Sequence, residues 1–171
     1  CASVFRFDHA TNEWFEVELP DSGATRGIAA DDRGFIYVGA SNTYIRLRVT
    51  GLDAGPAIAR LTRFRADDGG DIRIYGTEAA PLPGLGSVGV GLDSQRNVWM
   101  INQVSSTATR VNPETGEARE FPVGDSPYTY SDFTGFALRT FTVPNGFVRT
   151  VIEGCASGPT AATVTSRKRC R

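Results

Sequence analysis

The stretch Arg110–Gly116, which reads RVNPETG, decides the fold because the chain repeats it. It aligns without gaps with 6–12 (RFDHATN) and with 63–69 (RFRADDG). Five positions after the end of each copy stands an apolar residue, which is Val17, Ile74 or Phe121. Self-similarity at such spacings indicates a repeat architecture in which each unit is one supersecondary element.

This motif predicts a β-hairpin with a short loop. Pro113 presets φ near the start of the turn, and Gly116 provides the left-handed residue that closes a type I turn with a bulge. Gly69 and Asn12 occupy the position of Gly116 in the other copies. Asparagine is the residue besides glycine that best tolerates positive φ, so all three copies fit the same turn.

A second motif occurs twice and alternates with the first. Residues 27–31 (GIAAD) are followed by 36–38 (IYV), and 89–93 (GVGLD) are followed by 98–100 (VWM). Each copy predicts two strands around a turn. The aspartate that ends the first strand suits a side chain bonded to the turn backbone, so we interpret Asp31 and Asp93 as structural rather than catalytic.

The two motifs in order define a four-stranded antiparallel unit and an all-β chain. The predicted segments are a half unit at 3–19, full units at 26–76 and 87–123, and a remainder at 127–171. The first 126 residues thus form the repeat region. The remainder is interpreted either as the start of a fourth unit or as a separate short β-hairpin with a disordered basic tail.

Over residues 3–123 these units resemble bacterial β-propeller repeats of the virginiamycin B lyase (streptogramin lyase) and NHL types. The resemblance implies a partial β-propeller of about two and a half blades. Because propellers need roughly four to eight blades to close, it also implies a fragment of a longer polypeptide. Lyases of that family open a lactone with a histidine base, but His9, the only histidine, falls in a hairpin turn. No catalytic residue of the family transfers onto this chain.

Charge and hydropathy exclude several classes of partner. The formal net charge is −1, so no overall field attracts nucleic acid, and the basic run at 167–171 is interpreted as a solvated or foreign tail. No apolar run approaches the ~18 residues of a transmembrane segment.

Cys1 is compatible with a lipid anchor or with a chain cut from a larger protein. Cys155 and Cys170 could pair and leave Cys1 alone.

The insertion between Val38 and Ala59 holds the candidate ligand-binding residues, which are Tyr44, Arg46, Arg48 and Asp53. Residues 44–49 alternate like a strand, and two arginines there could hold a carboxylate or phosphate. The alternative is a solvated loop extension.

The acidic run 67–71 lacks the full calcium-loop pattern and is explained by the hairpin turn. The sequence assigns no catalytic residue, no metal site and no cofactor.

Three functions stay open at this point. The first is a non-enzymatic module that binds a ligand or a protein through its loop face, in an exported bacterial protein. The second is a streptogramin-lyase-like enzyme made incomplete by truncation, and the third is a carbohydrate-binding or adhesion propeller. Because the predicted blades leave faces and edges uncovered, we also expect contact with further blades of a parent chain or self-association.

Overall fold

The structure, a computed structural model, describes residues 2–20, 24–41 and 58–129 of the 171-residue chain. This part of the chain contains strands and turns and no helix, which confirms the all-β prediction. It therefore also holds no helix long and apolar enough to cross a membrane.

The strands are short and are separated mainly by tight turns. They are β1 (Ala2–Asp8), β2 (Glu13–Leu19), β3 (Thr25–Ala30), β4 (Phe35–Ser41), β5 (Ala59–Arg65), β6 (Arg73–Tyr75), β7 (Ser87–Leu92), β8 (Val98–Asn102), β9 (Thr107–Val111) and β10 (Ala118–Pro122).

Each sheet follows chain order and is antiparallel throughout. Strands β1 and β2 form a two-stranded sheet, which we call half blade 1. Strands β3 to β6 form a four-stranded sheet, blade 2, and β7 to β10 form a second, blade 3. The prediction of one half unit and two full units is confirmed.

The hairpin turns adopt the predicted conformation. Asn12, Gly69 and Gly116 have φ angles of 60°, 70° and 79°. The N–H of Gly116 donates to the carbonyl of Asn112 at 2.8 Å, and that of Gly69 donates to Arg65 at 2.9 Å. The positive φ that the repeat predicts is therefore what closes each turn between a third and a fourth strand.

Asp93 bonds the turn between β7 and β8 and confirms the structural role expected for it. One carboxylate oxygen accepts the backbone N–H groups of Gln95 and Asn97, each at 2.9 Å. The other accepts the Asn97 amide and the indole N–H of Trp99, also at 2.9 Å. Burial by itself would raise the pKa of Asp93, but the hydrogen bonds from Asn97 and Trp99 outweigh it and lower the pKa.

Asp31 does the same in blade 2. Its Oδ1 accepts the backbone N–H groups of Arg33 and Phe35 at 2.9 Å. Its Oδ2 accepts the hydroxyl of Tyr37 at 3.2 Å, where Trp99 stands in the other repeat. Burial, and then the charge of Asp31, raises the pKa of Tyr37 well above its usual value.

The core consists of residues packed between consecutive sheets. Half blade 1 meets blade 2 through Leu19, Val38 and Phe64, with Val4, Val17 and Ile36 at the margin. A larger cluster joins blade 2 to blade 3 and contains Ala29, Tyr37, Ala59, Leu61, Tyr75, Leu82, Val90, Leu92, Val98, Met100 and Val111. Because each sheet packs against the next one, stacking of the repeats buries the apolar faces of the sheets.

Several expectations fall beyond the part of the chain that the structure describes. These are the strand at 44–49, the hairpin after residue 138, and the pairing of Cys155 with Cys170. The division of the chain at residue 126 stays a prediction.

Candidate functional site on the loop face

The ligand-binding residues proposed from the sequence lie outside the described residues, and they stay a prediction. They are Tyr44, Arg46, Arg48 and Asp53. Strands β4 and β5, which flank their insertion, are described. The end of β4 and the start of β5 lie at the same end of the sheet as the end of β6, where the chain leaves for blade 3. We call this end of the blades the loop face, and we call the opposite end, which carries the turns 31–34 and 66–70, the turn face.

A cleft of about 370 Å³ opens at the loop face of blade 2. Its lining comes from the start of β5, from β6 and from the connection that follows β6. The lining residues are Arg60, Ile74, Gly76, Thr77 and Glu78.

The sharp path of the chain after β6 shapes one wall of this cleft. Gly76 has a φ of +85°, and a Cβ there would lie 2.5 Å from the carbonyl oxygen of Ala59. Only glycine fits such a position without strain. The turn that follows is closed from both sides, because Thr77 N–H donates to Ala80 O at 3.0 Å and Ala80 N–H donates to the Thr77 hydroxyl at 3.2 Å. Thr77 and Glu78 are thereby held beside the start of β5.

Arg60 is the charged group of the cleft with unused donors. It is half-buried, and its Nε is buried without a hydrogen-bond partner. No salt bridge joins it to Glu78 or to another carboxylate of the described residues. A buried donor left unpaired costs about 1–3 kcal/mol, so a partner for this guanidinium would be strongly favoured.

Thr62 adds a second unpaired polar group on the same side of β5. It is fully buried, and its hydroxyl has no hydrogen-bond partner. Side chains two positions apart on a strand share a face, so Thr62 lies on the side of Arg60. It is also the cross-strand partner of Ile74, which lines the cleft. Two neighbouring polar side chains on this face are therefore left without partners.

The sequence contains a signal for Arg60 that the first interpretation missed. Three positions before the repeated arginine, the other two copies carry Ser3 and Thr107, both small hydroxyl residues. In blade 2 that position is an arginine. The repeat pattern therefore does not account for a charge at this position, which makes Arg60 a candidate binding residue.

His9 and the acidic run 67–71 lie away from this cleft. His9 is an exposed residue of the turn between β1 and β2, as predicted. In the acidic run, Asp67 binds the guanidinium of Arg65 at 2.8 Å, and Asp68 accepts the N–H of Gly70 at 2.8 Å. The hydrogen bond from Arg65 holds the pKa of Asp67 at about 2. Within the described residues no group of three or more potential metal ligands converges.

The charges of the turn face are paired with each other, in contrast to Arg60. Arg33 in blade 2 binds Glu114 in blade 3 at 2.6 Å, and Arg96 in blade 3 binds Asp32 in blade 2 through two bonds of 2.9 and 2.8 Å. The hydrogen bond to Glu114 raises the pKa of Arg33, and the hydrogen bond from Arg96 lowers the pKa of Asp32. These groups hold two blades together and have little capacity left for a ligand.

The cleft offers a guanidinium, a hydroxyl and a carboxylate within one small volume. A guanidinium forms a planar fork that matches a carboxylate or phosphate. A threonine hydroxyl adds a donor or acceptor, and Glu78 favours a ligand that also carries a hydrogen-bond donor. The arrangement suits recognition of a small anionic or zwitterionic group.

No protein-family model and no curated protein matches the chain. Among solved structures, it is similar to a streptogramin B lyase at 24% identity and a TM-score of 0.47, over 70% of this chain and 33% of that one. Virginiamycin B lyase from Staphylococcus aureus gives 24% identity and a TM-score of 0.48, over 70% and 34%. A chain of a nidogen/laminin complex gives 17% identity and a TM-score of 0.51, over 72% and 40%.

These likenesses concern the fold. The chain spans between a third and two fifths of the length of these neighbours. The likeness to the chain of the nidogen/laminin complex, together with the sheets of two, four and four antiparallel strands, identifies the described residues as blades of a β-propeller. The predicted resemblance to the streptogramin lyase and NHL types is confirmed at this level.

Proposed function

We propose that this chain is a non-enzymatic binding module of an exported bacterial protein, and that its loop face takes a ligand or protein partner bearing a carboxylate or phosphate. The observation that carries the proposal is the unpaired guanidinium of Arg60 in the cleft beside Thr77 and Glu78. The other charged group of the cleft, Glu78, is exposed, so Arg60 is the partly buried charge there whose presence an external anion explains.

Binding fits the described groups of the cleft better than proton transfer does. A general acid or base needs a group that titrates near the operating pH. Arginine stays protonated in proteins, so Arg60 can hold an anion but cannot act as a base. An ion pair between Arg60 and an anion needs neither group to titrate.

Two kinds of ligand could supply the anion that binds Arg60. One is a small molecule with a carboxylate or phosphate. The other is an acidic side chain of a protein, and the neighbour of known structure in which nidogen and laminin are bound to each other makes a protein partner a reasonable class to test. The probes below separate the two sources.

The test measures thermal stability and heat of binding with succinate, inorganic phosphate and a glutamate-rich peptide. A ligand that binds the folded state raises Tm by mass action, so we expect at least one probe to do so. Arg60→Gln should remove the effect, whereas Arg65→Gln should retain it because Arg65 lies at the turn-face end of the same strand. No response to any probe, or equal binding by Arg60→Gln, contradicts the proposal.

Deleting 43–55 asks whether the insertion shares the site. We expect the deletion to weaken binding, because β4 and β5 bring its two ends to the loop face. Turnover of a streptogramin B lactone by the chain would instead favour the lyase alternative, and hits on a glycan array would favour adhesion. The exported location is tested by fractionation of the native host.

A further inference from the structure

An arginine of one blade binds the hairpin turn of the next blade at the first interface. Arg6 Nη1 on β1 donates to the backbone carbonyls of Ala66 at 2.6 Å and Asp67 at 2.8 Å. These carbonyls lie in the turn between β5 and β6 of blade 2. One guanidinium on two backbone acceptors therefore adds a polar contact to the apolar cluster that joins half blade 1 to blade 2.

The second interface repeats this contact. Arg73 Nη1 on β6 donates to the carbonyls of Pro113 at 3.1 Å and Glu114 at 3.3 Å. In the alignment of the repeats, Pro113 and Glu114 stand where Ala66 and Asp67 stand. The same two carbonyls of successive turns thus accept an arginine from the preceding blade.

The donors come from paired strands rather than from one repeat position, since Arg63 itself binds Asp71. Arg6 aligns with Arg63, and Arg63 is the direct cross-strand partner of Arg73. The donor is hence one member of a cross-strand pair on the third and fourth strands. In blade 3 this pair is Arg110 and Arg119.

Blade 3 carries this donor pair without a turn to bind. Arg110 lies over the ring of Phe121 at 5.6 Å and makes no hydrogen bond or ion pair with the described residues. Arg119 binds Glu117, which directly precedes its strand, at 2.8 Å. No following turn within residues 2–20, 24–41 and 58–129 meets either guanidinium.

Half blade 1 carries the complementary acceptors. Its turn contains His9 and Ala10, which align with the two carbonyl-bearing residues of the later turns. No arginine of the described part of the chain donates to them. The repeated contact is therefore left with an unused donor at one end and unused acceptors at the other.

The faces around these groups match as well. On the side of β1 opposite to Arg6, Phe5, Phe7 and Trp14 are 60%, 44% and 68% exposed. Glu16 is the cross-strand partner of Phe5 and is exposed on the same side. The exposed side of half blade 1 is therefore apolar with a carboxylate at its margin, and it is complementary to a surface that is apolar and basic.

Blade 3 presents such a face. Trp99 and Phe121 lie 5.4 Å apart, and Trp99 is the cross-strand partner of Arg110. Arg110 is in turn paired with Arg119 across the hairpin, so two guanidinium groups border these rings. Aromatic rings flanked by arginines are typical of protein interfaces.

We infer that blade 3 of one copy docks on half blade 1 of a second copy, head to tail. The guanidinium groups of Arg110 and Arg119 in one copy bind the turn that contains His9 and Ala10 in the next, and the aromatic faces pack together. The interface uses two different surfaces of the chain, so it is heterologous and repeats the contact between consecutive blades.

Sedimentation velocity of the full chain tests this inference over about a hundredfold range of protein concentration, because association follows mass action. We expect the mean mass of the wild type to rise with concentration. The double variant Arg110→Gln/Arg119→Gln should raise the dissociation constant by about tenfold or more, which corresponds to ~1.4 kcal/mol of binding free energy. Arg65→Gln, an exposed arginine paired within its own blade, should associate like the wild type.

A mixing experiment separates docking from any loss of folding. Trp14→Ser alters the acceptor face only, and the double variant alters the donor face only. Each variant should be impaired alone, whereas an equal mixture should form a one-to-one complex through the two unaltered faces. A wild type that stays monomeric at every concentration, or a mixture that does not associate, overturns the inference.

Discussion

The turn face and the loop face of the two complete blades handle polar groups in opposite ways. On the turn face, Asp31 and Asp93 each accept hydrogen bonds from two backbone N–H groups and from an aromatic side chain. On the loop face, Arg60 and Thr62 have buried polar atoms without partners. Asp31 and Arg60 belong to the same blade, so the difference lies between two ends of one sheet.

The contrast distinguishes groups that build the repeat from groups that are free to bind something else. The aspartates that close the turns recur in both blades, because Asp31 and Asp93 occupy the same repeat position. Arg60 occurs in one blade, where the other repeats carry Ser3 and Thr107. Removing a turn-face group should therefore cost stability, and removing a loop-face group should cost binding.

The largest effect is expected for Asp31→Ala. The side chain is fully buried, and its loss leaves two backbone N–H groups and the Tyr37 hydroxyl without an acceptor. We expect the free energy of unfolding to fall by about 3–5 kcal/mol, measured by urea denaturation.

Asp31→Asn serves as the matched control, because it keeps one oxygen in place for the backbone N–H groups. It should lose clearly less stability than the alanine variant. Equal losses for the two variants would mean that the carboxylate contributes by its charge rather than by closing the turn.

Gly76→Ala should give the next largest effect and extends the comparison to the loop face. A left-handed φ strains any alanine, and here the new Cβ would also lie 2.5 Å from the Ala59 carbonyl oxygen. We expect a loss of about 2–4 kcal/mol in urea denaturation.

Gly34→Ala is the matched control, and the difference between the two losses gives the steric part of the Gly76→Ala loss. Gly34 has a φ of +83°, close to that of Gly76, but nothing lies within 4 Å of its added Cβ. It should lose only the conformational part, about 1 kcal/mol. If the two variants lost the same stability, the close approach of β5 to the connection after β6 would be wrong.

The sequence predicted the turn face well and the loop face poorly, for physical reasons. The hairpin around Pro113 and Gly116 and the turn closed by Asp93 depend on residues within a few positions of each other, so local sequence determines them. The cleft at Arg60 depends on where the chain passes after Gly76. The contact of Arg6 with Ala66 is made to a backbone carbonyl, which has no signature in the sequence.

The third prediction concerns the pH dependence that Asp93 confers. Its pKa is lowered in the folded protein, so its contribution is complete above the unfolded pKa of about 3.9 and is lost as the pH falls through the folded value. Asp93→Asn cannot titrate. The stability difference between wild type and variant should therefore be largest near neutral pH and shrink in acid.

Urea midpoints of both proteins between about pH 6 and pH 2 measure this difference, since a carboxylate with a lowered pKa titrates in that range. Asp68→Asn provides the comparison at an exposed position of another turn. A constant difference across the range for Asp93→Asn would show that its carboxylate is not preferentially ionised in the folded state.

The smallest effect on stability is expected at Arg60, and this is where the comparison is most exposed to failure. Arg60→Met keeps an unbranched apolar stem and removes the buried Nε that has no partner. We therefore expect the free energy of unfolding to change by less than about 0.5 kcal/mol or to rise, although the same residue is essential to the proposed binding. A loss as large as that of Asp31→Ala would show that the guanidinium stabilises the blade, and the distinction between the two faces would not hold.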